Sequence, residues 1–396
     1  MARVLFINSG SEGHVNPTIG LVQELIKRGE EVVYFTIEEF RERLEKTGAT
    51  VRTIDAQRFI KAFISGGRSN FLERINGLLH TADIVIPSVL EQIEGEQFDY
   101  ILHDSMFGCG RLLSQILKLP AINSCTTFAE SEASFHNKLK QLSKNIPAET
   151  FREYQRLVER VEEKYGVQID SPYEVFCNPA RLTIVYTIRG FQPFEEEFDQ
   201  TYKFVGPSIT PRQTQENVDL TTIMEKNPIY ISLGTVFNQE IEFYKLCVVA
   251  FGNTEHPVVM SIGNKTQASD LGDIPKNFIV KNYVPQTEVL EYAKLFITHG
   301  GMNSVHESLY YGVPLIVFPQ SADQPFIAEQ VAEIGAGIQL QMQELTPKQL
   351  REAAEYVINQ PSFQKAAVQM RESLLRSGGY QQAVNEIFEF KRQYNI

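Results

Sequence analysis

The sequence predicts an α/β protein built as two doubly wound halves with a cleft between them. Short apolar runs alternate with segments of helical periodicity along most of the chain. Many of those runs end in glycine or small polar residues, as parallel strands do where they hand over to helices. At 396 residues the chain is too long for one ordinary core, and each of two halves could bury a sizeable apolar interior.

Val4–Ile7 reads as the first buried strand. Asn16-Pro17 is expected to open the first helix, with Asn16 as N-cap and Pro17 at the first helical position, where its missing N–H costs nothing. Ile19, Leu21, Val22, Leu25 and Ile26 recur at helical spacing, and Gly29 stops the helix. Glu31–Thr36 is the next strand, completing a β-α-β unit whose ligands belong at the carboxyl ends of the strands. Tyr100–His103, with Asp104 at its end, and Ala121–Cys125 extend that sheet. The region 56–80, with Gly66-Gly67 and mixed polarity, reads as a mobile loop. Residues 130–170 are polar and helix-prone, an excursion from the sheet.

The stretch after Gly206-Pro207 lacks apolar periodicity, which places a linker at 208–222 between a first domain, 1–207, and a second, 223–380. In the second, Ile229–Leu233 ends in Gly234-Thr235, Val258–Ile262 in Gly263, Leu295–Thr298 at His299 and Leu315–Phe318 at Pro319. Phe278–Lys281 leads into Tyr283-Val284-Pro285-Gln286. Helical stretches are expected at Glu240–Phe251, Glu288–Tyr292, Ser304–Tyr311, Gln324–Ile334 and along the tail from Pro347. The last segment, 381–396, is expected to pack back on the first domain.

The net charge of −12 and a pI near 5.2 argue against nucleic acid and anionic membrane as partners. Cys109, Cys125, Cys177 and Cys247 show no C-x-x-C spacing and read as buried thiols in a reducing compartment. The apolar run at the N-terminus is too short for a signal peptide, and the expectation is a soluble cytoplasmic protein, monomer or weak homodimer.

The chemistry concentrates at strand ends. His14, in Gly13-His14-Val15-Asn16-Pro17, lies between the first strand and the first helix, where the helix N-terminus disfavours imidazolium and keeps a base neutral. A histidine there could equally serve only to hydrogen-bond the turn. Asp104 ends a strand of the same sheet and could fix the imidazole tautomer, although an Asp after a strand is often a helix cap. His103 should point the other way along the strand, and His80, His136, His256 and His306 read as histidines without partners.

Thr298-His299-Gly300-Gly301-Met302-Asn303-Ser304 puts two glycines and small polar groups at a strand-to-helix turn. Backbone N–H groups and the helix dipole there suit a diphosphate, and Glu307, one turn later, could accept hydrogen bonds from a ribose diol. A plain helix start would look the same in isolation. Other signatures fail. Gly263-Asn264-Lys265-Thr266 resembles the end of a P-loop, but Val258 stands where its first glycine belongs. Gly108-Cys109-Gly110 follows a strand, yet Leu113 occupies the third glycine position of the dinucleotide fingerprint. No Asp-x-Asp metal-nucleotide motif and no His/Cys ligand cluster occur, so no metal is expected.

In this order, from Gly13-His14-Val15-Asn16-Pro17 to Asp323-Gln324, the pieces resemble glycosyltransferase family 1, and within it the bacterial macrolide and flavonoid UDP-glycosyltransferases. The resemblance implies a GT-B fold, two Rossmann-like domains facing across a cleft, and metal-independent, inverting transfer of a sugar from a UDP-sugar to a hydroxyl. It implies His14 as general base oriented by Asp104. It assigns His299, Gly301, Asn303, Ser304 and Thr235 to the phosphates, Glu307 with Gln286 nearby to the ribose, Tyr283 and the Val284 backbone to the uracil, and Asp323 and Gln324 to the sugar hydroxyls. Many members place a Trp where this chain has Tyr283, and the chain has no Trp. Gln324 implies UDP-glucose as co-substrate, with no further cofactor.

The acceptor is expected to be a hydrophobic flavonoid, macrolide or other phenol, with Phe59, Phe63, Phe71, Phe107, Phe128 and Phe135 as candidate walls that could equally be core. The other readings are a UDP-sugar epimerase, a cell-wall or lipid-linked glycosyltransferase of the same fold, and a non-catalytic nucleotide-sugar-binding protein.

Overall fold

The computed structural model describes residues 1–8, 10–210, 226–235, 238–321 and 323–396. The chain forms two units, Met1–Ser208 with Gly378–Ile396, and Ile209–Ser377. Of the expected linker at 208–222, residues 211–222 lie outside the described residues.

The first unit carries seven strands: β1 (Arg3–Ile7), β2 (Glu31–Thr36), β3 (Thr50–Thr53), β4 (Tyr100–Asp104), β5 (Ala121–Cys125), β6 (Leu182–Val185) and β7 (Tyr202–Phe204). Their spatial order is β3-β2-β1-β4-β5-β6-β7, every pair parallel. The chain therefore reverses its direction of winding between β1 and β4, the place where open parallel sheets bind ligands. The first-strand residues Val4, Leu5, Phe6 and Ile7 are fully buried, as expected of a strand covered on both faces.

The first helix differs from the expectation. It runs Glu12–Lys27 behind Ser11, so Asn16 and Pro17 lie inside it rather than at its start. The backbone N–H groups of His14 and Val15 both reach the Ser11 carbonyl, at 3.0 and 2.8 Å, and close the first turn upstream of the proline. Asn16 does no capping and instead accepts a hydrogen bond from Arg43 at 2.7 Å. His14 consequently belongs to the first helical turn, not to the loop before it.

The region 56–80 is not a loop. It forms helix Ala56–Ser65 and the start of helix Phe71–Gln92. Asn70 caps the second helix by accepting from the Glu73 N–H at 3.0 Å while its own amide donates to Glu73 at 2.8 Å. Gly66 and Gly77 serve close approach rather than mobility. A Cβ on Gly66 would lie 2.1 Å from the Gly77 nitrogen, and one on Gly77 would lie 2.3 Å from the Phe63 carbonyl oxygen. Leu72, Ile75, Leu79, Ala82, Ile86 and Val89 of the long helix are buried at helical spacing against one face of the sheet.

On the opposite face, helix Glu12–Lys27 packs with helix Gly379–Tyr394, whose Ala383, Val384, Ile387 and Phe390 share its core. Lys391 donates to buried Glu30 at 2.5 Å, and Glu30 also accepts from Tyr100 Oη at 3.1 Å. A buried lysine paired in this way commits the terminal helix to one register. The expected polar excursion at 130–170 is two helices, Glu132–Ser143 and Ala148–Tyr165.

The second unit carries β8 (Ile229–Ser232), β9 (Val258–Ser261), β10 (Phe278–Lys281), β11 (Leu295–Thr298), β12 (Leu315–Val317) and β13 (Gly337–Gln339). Their order is β10-β9-β8-β11-β12-β13, again parallel, with the winding reversal between β8 and β11. Helices Ile241–Phe251, Gln286–Leu290, Met302–Tyr310 and Gln324–Glu333 connect them. The tail is three helices, Pro347–Asn359, Pro361–Ser377 and Gly379–Tyr394. Among the described residues no helix is long and apolar enough to cross a membrane.

Candidate active site

In the first unit, both candidate catalytic residues belong to the reversal point, one following β1 and the other ending β4. His14 Nδ1 meets Asp104 Oδ2 at 2.6 Å, a length typical of a charge-assisted bond. Asp104 is fully buried, and its second oxygen accepts from the Met106 N–H at 2.7 Å. A buried carboxylate held on both oxygens favours the tautomer with the proton on Nδ1, which puts the lone pair on Nε2. Asn8 fixes the other side of the turn, donating to the His14 carbonyl at 3.2 Å and accepting from the Gly10 N–H at 3.0 Å. Gly10 has φ +72°, and a Cβ there would lie 2.8 Å from Ile37 Cγ1. Thr126, just past β5, also touches His14 Nδ1, its Oγ1 3.1 Å away. His103 lies in the core with its side chain against Gly110, and burial pushes its imidazole down to about 4.

In the second unit, the turns after β8 and β11 interlock at the reversal point. Gly234 has φ +76°, and a Cβ there would lie 2.5 Å from His299 Cε1. A Cβ on Gly301 would lie 2.6 Å from His299 Nε2, so the imidazole is sandwiched between two glycines. Gly300, at φ +86°, leaves no room beside Val317. Burial drives the His299 imidazole down to about 4, which keeps it neutral near pH 7. Gly301 then caps helix Met302–Tyr310, whose first turn carries Asn303 and Ser304.

Glu307 is 3 % exposed and accepts from Gln286 Nε2 at 2.6 Å. Gln286 is itself held by Tyr230 Oη, which donates to its carbonyl oxygen at 3.2 Å, and its amide reaches Ser304 Oγ at 3.4 Å. Gln324 is buried at the start of its helix, and its side-chain oxygen accepts from the Gln320 and Ser321 N–H groups at 2.8 and 3.2 Å. Tyr283 is 46 % exposed, whereas Val284 buries its side chain. Thr235 and Asp323 border residues outside the described set.

The six phenylalanines separate. Phe107 and Phe135 are completely buried in the core and present no face to a ligand, a correction to their candidacy as walls. Phe59, Phe63, Phe71 and Phe128 are half-buried. Phe59 meets Phe107, three residues beyond Asp104, in a tilted ring contact at 5.5 Å. Three histidines read as partnerless have partners, among them His306, which bonds the backbone of Met302. His256 bonds Lys294 and meets Glu355 at 3.0 Å, and His80 lies 3.9 Å from Glu153.

The sequence reading missed Thr126, Tyr230 and Asn238. Asn238 Nδ2 donates to the Gly234 carbonyl at 2.8 Å, and Gly263 makes room for it, since a Cβ there would lie 2.2 Å from that nitrogen. Gly263 in turn is bound by Asn282, whose amide donates to its carbonyl at 2.8 Å. The signal was present only as an unexplained glycine after β9.

Comparison with known proteins is consistent with this geometry. Residues 4–93 match the glycosyltransferase family 28 N-terminal domain, and residues 245–389 match the C-terminal domain described as erythromycin biosynthesis protein CIII-like. The chain is 36% identical to the UDP-glucosyltransferase YojK of Bacillus subtilis (strain 168), over 99% of this chain and 98% of that protein. The chain belongs to glycosyltransferase family 1, among the bacterial UDP-glycosyltransferases. This glycosyltransferase has the GT-B fold. It superposes on the glycosyltransferase of kitacinnamycin with a TM-score of 0.87 at 27% identity, covering 99% of this chain and 98% of that one. On CalG4, the calicheamicin glycosyltransferase, the TM-score is 0.84 at 30% identity, with coverage of 99% and 98%.

Proposed function

We propose that this glycosyltransferase moves glucose from UDP-glucose to a hydroxyl of a hydrophobic acceptor, with inversion and without metal, using His14 as base and Asp104 to orient it. The observation that carries the catalytic part is the 2.6 Å contact between His14 Nδ1 and the buried Asp104 carboxylate. With its proton on Nδ1, the imidazole takes the acceptor's hydroxyl proton at Nε2. The hydroxyl oxygen forms a bond to the anomeric carbon as the bond to the diphosphate oxygen breaks from the opposite face. Asp104 stabilises the imidazolium that results, and base catalysis of this kind contributes about 10²–10⁴ in rate.

The leaving UDP takes the electron pair, and the amides at the start of helix Met302–Tyr310 together with neutral His299 would receive its charge. The pre-set Gln286–Glu307 pair fits a ribose diol. Exposed Tyr283 fits a stacked uracil, with less area than a Trp. Gln324, with its oxygen already engaged, offers two N–H donors to sugar hydroxyls. Glucose rests on that residue and on the name of the Bacillus subtilis relative. The similarity to glycosyltransferases of kitacinnamycin and calicheamicin supports a large apolar natural-product acceptor, such as a macrolide, flavonoid or other phenol. Half-buried Phe59, Phe63, Phe71 and Phe128 are its proposed walls.

The test is incubation with UDP-glucose and a panel of phenolic and macrolide acceptors, read by mass spectrometry and by NMR of the anomeric proton. One added hexose in the β configuration from the α-configured donor is expected. Conversion of the donor with no acceptor present would make the protein an epimerase. Silence across all acceptors, with UDP still bound, would make it a binding protein.

A further inference from the structure

We infer that Thr126 is a positioning residue for the proposed base, acting as a second acceptor for the His14 Nδ1 proton alongside Asp104. This rests on the reading of His14 as base, but the contact itself does not. Nδ1 carries one hydrogen in the tautomer that a carboxylate on Nδ1 selects, and two oxygens flank it, Asp104 Oδ2 at 2.6 Å and Thr126 Oγ1 at 3.1 Å. With that hydrogen in place, Thr126 cannot donate to Nδ1 and must receive from it.

The fold supplies both oxygens from neighbouring strands. Asp104 ends β4 and pairs in register with Ser124 of β5, and Thr126 comes two residues later. Its position is clamped from both sides. The Tyr186 N–H donates to the Cys125 carbonyl at 3.2 Å, and Gln192 grips Ala129 twice, accepting from its N–H and donating to its carbonyl, both at 3.0 Å. Thr126 is 3 % exposed, so its hydroxyl sees the imidazole with little competition from water.

A second acceptor beside the first restrains the ring more than one alone. The two also stabilise the imidazolium more than the neutral ring, because a cationic N–H is the stronger donor. Losing the hydroxyl therefore weakens the base and lets the ring turn away from its working orientation.

The experiment compares Thr126→Val, which keeps the shape and removes the hydroxyl, with Thr126→Ser, which keeps the hydroxyl. For Thr126→Val, kcat should fall about fivefold, the size of one ordinary net hydrogen bond. KM for donor and acceptor should stay within twofold, and the acid limb of the pH profile should move to lower pH. Thr126→Ser should restore both. In parallel, ¹⁵N NMR of the His14 imidazole without substrates should show a lower pKa and a less biased tautomer in Thr126→Val.

An unchanged imidazole titration in Thr126→Val overturns the proposal, as does a Thr126→Ser variant as impaired as Thr126→Val, which would assign the effect to packing. If the imidazole titration shifts as expected while His14→Ala remains active, the base reading fails and the hydrogen bond stands.

Discussion

In the first unit a histidine borders the reversal point of the sheet beside a buried carboxylate, and in the second a histidine occupies the corresponding reversal point between two glycines. In the proposed mechanism His14 gains and loses a proton, with Asp104, 2.6 Å from Nδ1, receiving its Nδ1–H and steadying the charge that arrives. Among the described residues, no carboxylate faces His299, and burial holds its ring neutral, with its pKa near 4. The proposed function gives the first histidine proton transfer and the second shape and hydrogen bonding. The topology around them is the same, so the difference lies in the surroundings: a buried carboxylate on Nδ1 in one case, two close glycines and the Thr298 hydroxyl, 3.3 Å from Nδ1, in the other.

The largest test of that contrast is His14→Ala. Turnover should fall by about 10²–10⁴, while UDP affinity, measured by calorimetry on the free enzyme, should not move. Asp104→Asn should follow it, because an amide no longer selects the productive tautomer as a carboxylate does. His299→Ala should behave the other way, raising the donor KM with a smaller loss in kcat at saturation. If His299→Ala instead matched His14→Ala in kcat, the division of labour would be wrong.

Next in size is Gly234→Ala. Its φ of +76° is strained for any side chain, and the new Cβ would lie 2.5 Å from His299. Strain of this kind costs about 1–3 kcal/mol, so the donor KM should rise about tenfold or more, with the acid limb set by His14 unchanged. Glu307→Gln should be milder. It removes a charged acceptor from the proposed ribose site and should weaken UDP binding about tenfold, with kcat within a few-fold. A variant that bound UDP normally would remove Glu307 from the donor site.

The second half was the more legible in sequence because its chemistry is backbone chemistry. Gly234, Gly300 and Gly301 are required by φ values or by contact with His299 and Val317, and such requirements leave glycines in fixed places before helices. In the first half the informative contacts are made by ordinary side chains far apart in the chain. Thr126 touches His14 across 112 positions, and a threonine after a strand carries no mark of that. Asn16-Pro17 looks like a helix start, yet Ser11 opens the helix five residues earlier, because a first turn closed on the Ser11 carbonyl precedes the proline. Gly66-Gly67 looks like a hinge, but the glycine at 66 lets two helix backbones touch. Strands β3, β6, β7 and β13 are short and lack a continuous apolar run, with Arg52, Thr183, Lys203 and Gly337 among their three or four residues, whereas the equally short β9 and β12 read as apolar runs.

An effect on stability rather than on activity tests whether neutral histidine is a general device of the second unit. His306 is 2 % exposed in helix Met302–Tyr310, and burial lowers its pKa from 6.5 to about 4. Between those pH values the unfolded chain binds a proton that the folded chain refuses. The stability tied to the neutral ring is therefore whole above about pH 6.5 and is lost as pH falls toward 4. From pH 7 to pH 5 that loss comes to roughly 2 kcal/mol at about 1.4 kcal/mol per pKa unit. Glutamine in place of His306 does not titrate. Whatever the stability gap between wild type and His306→Gln at pH 7, it should shift by roughly 2 kcal/mol against the wild type at pH 5. Urea unfolding of both proteins followed by far-ultraviolet circular dichroism measures that shift. A gap that stays constant would mean that His306 takes up its proton inside the folded chain, and the second unit would then hold a titratable histidine of its own.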